Sequence, residues 1–106
     1  MVANKLTVIA VIKAKAGMEE KTRQELLALV APTRAEDGCI DFDLHQGVDD
    51  KSLFMFFENW TSREALDKHM QTPHIKAFGG KAAGLLAEPI KATFWGIVKI
   101  SSMVLP

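Results

Sequence analysis

The chain opens on an alternation. Leu6, Val8, Ala10 and Ile12 fall on one side of an extended segment, and Thr7, Ile9, Val11 and Lys13 on the other, which predicts a strand over 5–14 that is largely apolar on both faces. Gly17 breaks it. Glu19 and Glu20 then suit the positive end of a helix dipole, and Met18, Thr22, Leu26, Leu29, Val30 and Thr33 recur at helical spacing. Pro32 lacks the amide that a helix interior needs, so the helix is expected to kink or end nearby, with Gly38 as the last available cap. A second strand, 40–46, carries Phe42, Leu44 and His45, and the polar segment 47–51 is short enough for a hairpin into a third strand, 52–60, dense in Phe, Leu and Met.

That third strand runs straight into a helix. Thr61 and Glu64 have capping-box spacing, which would put Trp60 at N′ opposite Ala65. Leu66, His69 and Met70 lie three and four apart, so His69 is aimed inward where an apolar residue would normally sit. Thr72-Pro73 restarts the helical pattern as N-cap and N1, Ile75, Phe78, Ala82, Leu85 and Leu86 form its inner face, and Glu88-Pro89 ends it. A last strand is expected over 91–100, with Ala92, Phe94, Val98 and Ile100 on one side and Trp95 and Ile97 on the other; 101–106 reads as a tail. The order β-α-β-β-α-β predicts an α+β domain of the ferredoxin-like, split βαβ type: a four-stranded antiparallel sheet with helices on one face only. The bare face would expose Ile9, Val11, Trp95 and Ile97, an apolar patch that a sheet-to-sheet homodimer would cover.

Composition narrows the function. The 106 residues, 48% of them hydrophobic, suit one domain with a core of useful size. Thirteen basic and thirteen acidic side chains cancel, so the chain lacks the broad positive field that nucleic acids or anionic membranes require. The first apolar run, 6–12, is too short to span a bilayer, and no basic leader or cleavage site precedes it, so a cytoplasmic protein is expected. The single cysteine, Cys39, reads as a core residue rather than a reactive thiol.

Few residues carry chemistry. His69 is either a general base or a core histidine bonded to a carbonyl. His45 on a strand and His74 in the first turn of a helix read as surface residues unless the fold clusters them. A metal site built from His69, His74 and Glu58 is not expected, because a five-residue spacing with Pro73 inside it does not place both histidines on one helix face. The glycines at 79, 80 and 84 do not form a phosphate loop, since Ala82 stands where a metal-holding hydroxyl is needed, and no dinucleotide fingerprint follows a strand. Phe42, Phe54, Phe56, Phe57 and Met55 are core residues, some of which could wall a slot for a planar ligand.

Several short motifs together resemble the antibiotic biosynthesis monooxygenase domain, in particular its quinol-monooxygenase-like branch. They are Lys15-Ala16-Gly17, Thr33-Arg34-Ala35-Glu36-Asp37-Gly38-Cys39, Glu58-Asn59-Trp60, Ser62-Arg63-Glu64-Ala65-Leu66, and His69 followed by Pro73-His74. The resemblance covers 6–100. It implies a dimeric α/β barrel with a pocket between sheet and helices, and oxygenation of quinols or hydroxylated polycyclic aromatics by dioxygen with no metal, flavin or other cofactor. Relatives also include isomerases. The haem-degrading branch pairs an asparagine in the first strand with a histidine in the last helix; Ile9 and Gly79 occupy those positions, and His69 replaces its pocket tryptophan, so haem chemistry is not implied.

On that reading His69 takes a proton from a quinol, whose anion passes an electron to dioxygen far more readily than the neutral form. Trp60, Phe42, Phe54, Phe56, Met70 and Phe78 would form a flat apolar slot, His74 would border it, and His45 or Asn59 would donate to the developing oxyanion. Glu58 would orient a histidine. The alternatives are an isomerase using the same histidines on a small polar substrate, and a ligand-binding or stress-response dimer without turnover. A largely apolar pocket favours the oxygenase; an Arg or Lys inside it favours a charged substrate.

Overall fold

The computed structural model describes residues 5–99. Its elements follow the expected order, with the first helix divided: β1 (Leu6–Lys13), α1 (Glu19–Leu27), α2 (Val30–Arg34), β2 (Cys39–Gln46), β3 (Leu53–Trp60), α3 (Arg63–His69), α4 (Pro73–Leu85) and β4 (Lys91–Gly96). The strands form one antiparallel sheet in the order β2-β3-β1-β4, which is the ferredoxin-like arrangement.

Register fixes what each face carries, because directly opposed residues of an antiparallel pair point to the same side. Val8 pairs with Glu58 and Phe94, Ala10 with Phe56 and Ala92, and Phe42 with Glu58. These line the helix-covered face, where Val8, Ile12, Phe42, Phe54 and Trp60 are buried against Leu26, Leu29, Leu66, Phe78 and Leu85 from the helices. The opposite face carries Ile9, Val11, Met55, Phe57 and Trp95, with Asp41, Asp43 and His45 at the β2 end.

Local chemistry explains the element ends. Pro32 could not have donated to the carbonyl of Ala28, so the first helix breaks at Ala28–Leu29 and Pro32 falls in the first turn of α2, where no amide is missed. Gly38 leads into β2 with φ 86°, and a Cβ there would come within 2.6 Å of Ala65 Cβ and 2.8 Å of Thr61 Oγ1. Glycine is required on both counts. The cap of α3 sits one residue later than its spacing predicts: Ser62, not Thr61, accepts from the Ala65 amide at 3.0 Å, so Glu64 is at N2 and Trp60 is not a staple. Thr72 and Pro73 open α4 as expected. That helix ends at Leu85, before Glu88-Pro89, because Leu86 leaves it to bridge Ala14.

β4 is shorter than the predicted 91–100. Gly96 lies opposite Leu6, the first residue of β1, and the described pairing ends there. Ile97 and Val98 are exposed outside the strand, and Ile100 and the 101–106 tail lie outside the described residues. β4 is also exposed along its whole length rather than covered. Among the described residues no helix is long and apolar enough to cross a membrane.

Candidate functional site

A cavity of about 240 Å³ lies between the inner sheet face and the helices. Its walls are mainly apolar, from Val8, Ala10, Phe42, Phe56, Leu66 and Phe78, and two polar side chains reach it from buried positions, Glu58 from β3 and His69 from α3. Met70 lines it as well, and Arg63 and Phe94 stand at its exposed side, the guanidinium carbon 4.9 Å from the Phe94 ring centre.

His69 is held on two sides. Its ring lies 4.6 Å from that of Trp60 and meets Phe42 edge-on at 5.6 Å, while Phe42 stacks on Phe56 at 4.2 Å. Its Nδ1 is 2.9 Å from Glu36 Oε2 and 3.2 Å from Oε1; His74 Nε2 is 2.7 Å from the same Oε2. A carboxylate only accepts, so both ring nitrogens carry protons and donate to it. The Nδ1–H form of His69 leaves Nε2 with a free lone pair. Burial lowers the His69 pKa, against the opposing pull of its bond to Glu36, and so favours the neutral ring.

Glu58 differs in kind. Its Oε1 accepts from Trp60 Nε1 at 2.9 Å, its only side-chain hydrogen bond among the described residues, and no cation there pairs with it. Burial pushes its pKa up to about 7, against the Trp60 bond and helped by the charge of Glu36. Thr33 Oγ1 is the one described side-chain polar atom both closed off and without a partner. Glu58 Oε2 and His69 Nε2 have no hydrogen-bond partner among the described residues, and both side chains line the cavity.

The predicted residues therefore divide. Glu58, His69, Phe42, Phe56, Met70 and Phe78 converge on the cavity. Trp60 and Phe54 are buried behind its wall as core residues, Trp60 gripping Glu58 from the rear. His74 reaches the site only through Glu36. His45 and Asn59 do not reach it: they point to the opposite sheet face, where Asn59 bonds Asp41 and Thr7. Neither can donate to an oxyanion in this cavity. Glu58 hydrogen-bonds neither histidine among the described residues, and the carboxylate bonded to them is Glu36, a loop residue that motif spacing alone did not single out. Cys39 is half-buried and packed against the core, and burial raises its thiol to about 11.

The spacing argument against a metal site also misses a contact. The turn at Thr72-Pro73 folds His74 back towards His69, so ligand atoms of Glu36, His69 and His74 lie within 4.8 Å of one another. Such a set could hold a divalent cation if the two ring protons were displaced; the two histidine–Glu36 hydrogen bonds already join the three side chains without one.

Comparison with known proteins places the chain in a family. The profile of the antibiotic biosynthesis monooxygenase family matches residues 5–81. The protein sll1783 of Synechocystis is 34% identical over 85 residues, 76% of this chain and 58% of its own length. The Escherichia coli protein named "Probable quinol monooxygenase YgiN" is 35% identical over 95 residues, 78% of this chain and 89% of its own. The crystal structure of PA3566 from Pseudomonas aeruginosa superposes with a TM-score of 0.88 at 38% identity, covering 93% of this chain and 99% of that one. Fold and sequence agree: the chain belongs to the antibiotic biosynthesis monooxygenase family.

Proposed function

We propose that the protein hydroxylates a quinol or a related hydroxylated aromatic with dioxygen, using His69 as the base and no cofactor. The observation that carries this reading is the pairing of a Glu36-anchored His69, its Nε2 free, with an apolar cavity walled by stacked phenylalanines. Deprotonation by Nε2 makes the substrate an electron donor that dioxygen can oxidise, and the low dielectric of the cavity strengthens the electrostatics of that step. The name of the Escherichia coli relative points the same way. The working unit is a homodimer joined through the outer sheet face, where Ile9, Val11, Phe57 and Trp95 would otherwise remain in water.

Arg63 supports a second reading. Its guanidinium borders the cavity and is only loosely paired with Asp67 at 3.8 Å, which suits an isomerase acting on an anionic substrate. Oxygen uptake by the purified protein with a panel of quinols separates the two. The oxygenase reading expects uptake that His69→Gln lowers by roughly 10²- to 10⁴-fold with the fold intact. No uptake with any quinol overturns it, and anaerobic conversion of an anionic substrate would establish the isomerase.

A further inference from the structure

Glu58 has no structural work that justifies its cost. A carboxyl only 5% exposed, with one hydrogen-bond donor and no cation, is expensive in an apolar setting. A leucine would fill the space without that cost, and departures of this kind mark functional positions. Glu36, not Glu58, orients His69. Glu58 instead lines the cavity from the wall formed by β3, its Oε2 without a partner among the described residues, while His69 enters from α3.

We infer that Glu58 is the proton donor of the site, delivering a proton to the departing oxygen of a substrate peroxide so that water is lost rather than hydrogen peroxide. This rests on the oxygenase reading and assigns the step that reading leaves open. His69 removes a phenolic proton, one electron passes from the quinolate to dioxygen, and recombination forms a carbon–oxygen bond ortho to the first oxygen. His69 returns its proton to give a hydroperoxide on a ring carbon that still bears hydrogen.

Two exits lead from there. Loss of a proton from the second phenol expels hydroperoxide, giving the plain quinone and H2O2. In the other, His69 takes the carbon-bound hydrogen as a proton, its electron pair forms C=O, the O–O bond breaks, and the departing hydroxide takes the Glu58 proton to become water. The product is the hydroxyquinone. The sum is quinol plus O2 giving hydroxyquinone plus water; His69 then gives its proton to solvent and Glu58 takes one up, which resets the site. Glu58 can hold that proton near neutrality because burial raises its pKa to about 7. The other charged groups bordering the cavity are His69, Arg63 and Asp67, with Glu36 behind His69.

Glu58→Gln tests the assignment, since the amide keeps the shape and an oxygen for Trp60 but has no acidic proton. With 1,4-naphthoquinol as probe, oxygen consumed, H2O2 formed and the two quinone products are measured together. In the parent protein, hydroxynaphthoquinone is expected to account for nearly all oxygen. In Glu58→Gln, H2O2 and plain naphthoquinone should rise at least tenfold as a share of oxygen consumed, whereas His69→Gln, which removes the base of the first step, should slow oxygen uptake itself by roughly 10²- to 10⁴-fold. A folded Glu58→Gln protein with the parent's product ratio overturns the role of Glu58 and leaves the oxygenase reading standing. Absence of oxygen uptake by the parent with any quinol overturns both.

Discussion

Replacing Glu58 with Gln should yield a protein more stable than the parent at pH 8 and no more stable at pH 4. The carboxyl has a folded pKa of about 7 against an ordinary 4.5, raised first by burial. Between those values the unfolded chain has already released the proton that the folded chain still holds, so the folded state binds more protons and stability falls as the pH rises through this window. Each pKa unit corresponds to about 1.4 kcal/mol, which sets an upper limit of about 3.5 kcal/mol for the full loss; water entering the cavity would reduce it to about 1–3 kcal/mol. His69 acts with the opposite sign. Its folded pKa is lowered, so its contribution improves as the pH rises towards 6.5, but it is present in both proteins and cancels in their difference. Urea denaturation at half-unit steps from pH 4 to 8, at one protein concentration, gives that difference directly. A gap that stays constant across the range would refute the claim that Glu58 is held as a carboxylic acid.

Gly38→Ala should cost about 2–4 kcal/mol, combining a left-handed backbone with overlap against Ala65 and Thr61; a loss below about 1 kcal/mol in urea melts would show that the loop moves aside easily. Val11→Glu places a charge on the outer sheet face and should shift a dimer to monomers in light scattering at micromolar concentration; a parent protein that is already monomeric there removes the sheet-face dimer. The purified protein should contain no stoichiometric transition metal by elemental analysis, the Glu36, His69 and His74 contacts being hydrogen bonds; one tightly held ion per chain would turn those three residues into ligands.

Strand and helix positions were legible because their periods differ so plainly: alternation through Leu6–Lys13, three-and-four spacing through Arg63–His69. The inward aim of His69 followed from the same spacing. Parity held more information than was drawn from it. Phe56, Glu58 and Trp60 alternate with Phe57 and Asn59, so Asn59 had to face away once Glu58 faced the cavity, and pairing of β2 carries His45 with it. The cap at Ser62 lay beyond reach because two adjacent hydroxyl residues compete and only backbone geometry decides between them. Glu36 was hidden for another reason. It stands 33 positions from His69 in a connecting loop, and nothing periodic links a loop carboxylate to a helix histidine until the sheet brings them together.

The strand order has a consequence for how the chain reaches this state. β1 lies between β3 and β4, yet both follow it in the chain. Only β2 and β3 are joined by a short hairpin, so they can pair within microseconds of becoming available. β1 must wait for partners, its two apolar faces in water, and its pairing with β4 closes a loop almost as long as the described chain. Contacts so distant slow folding and prolong the interval in which an unpaired apolar strand can meet another copy. β4 therefore sets when folding ends, and refolding followed by hydrogen exchange should find its pairing with β1 protected after the hairpin's.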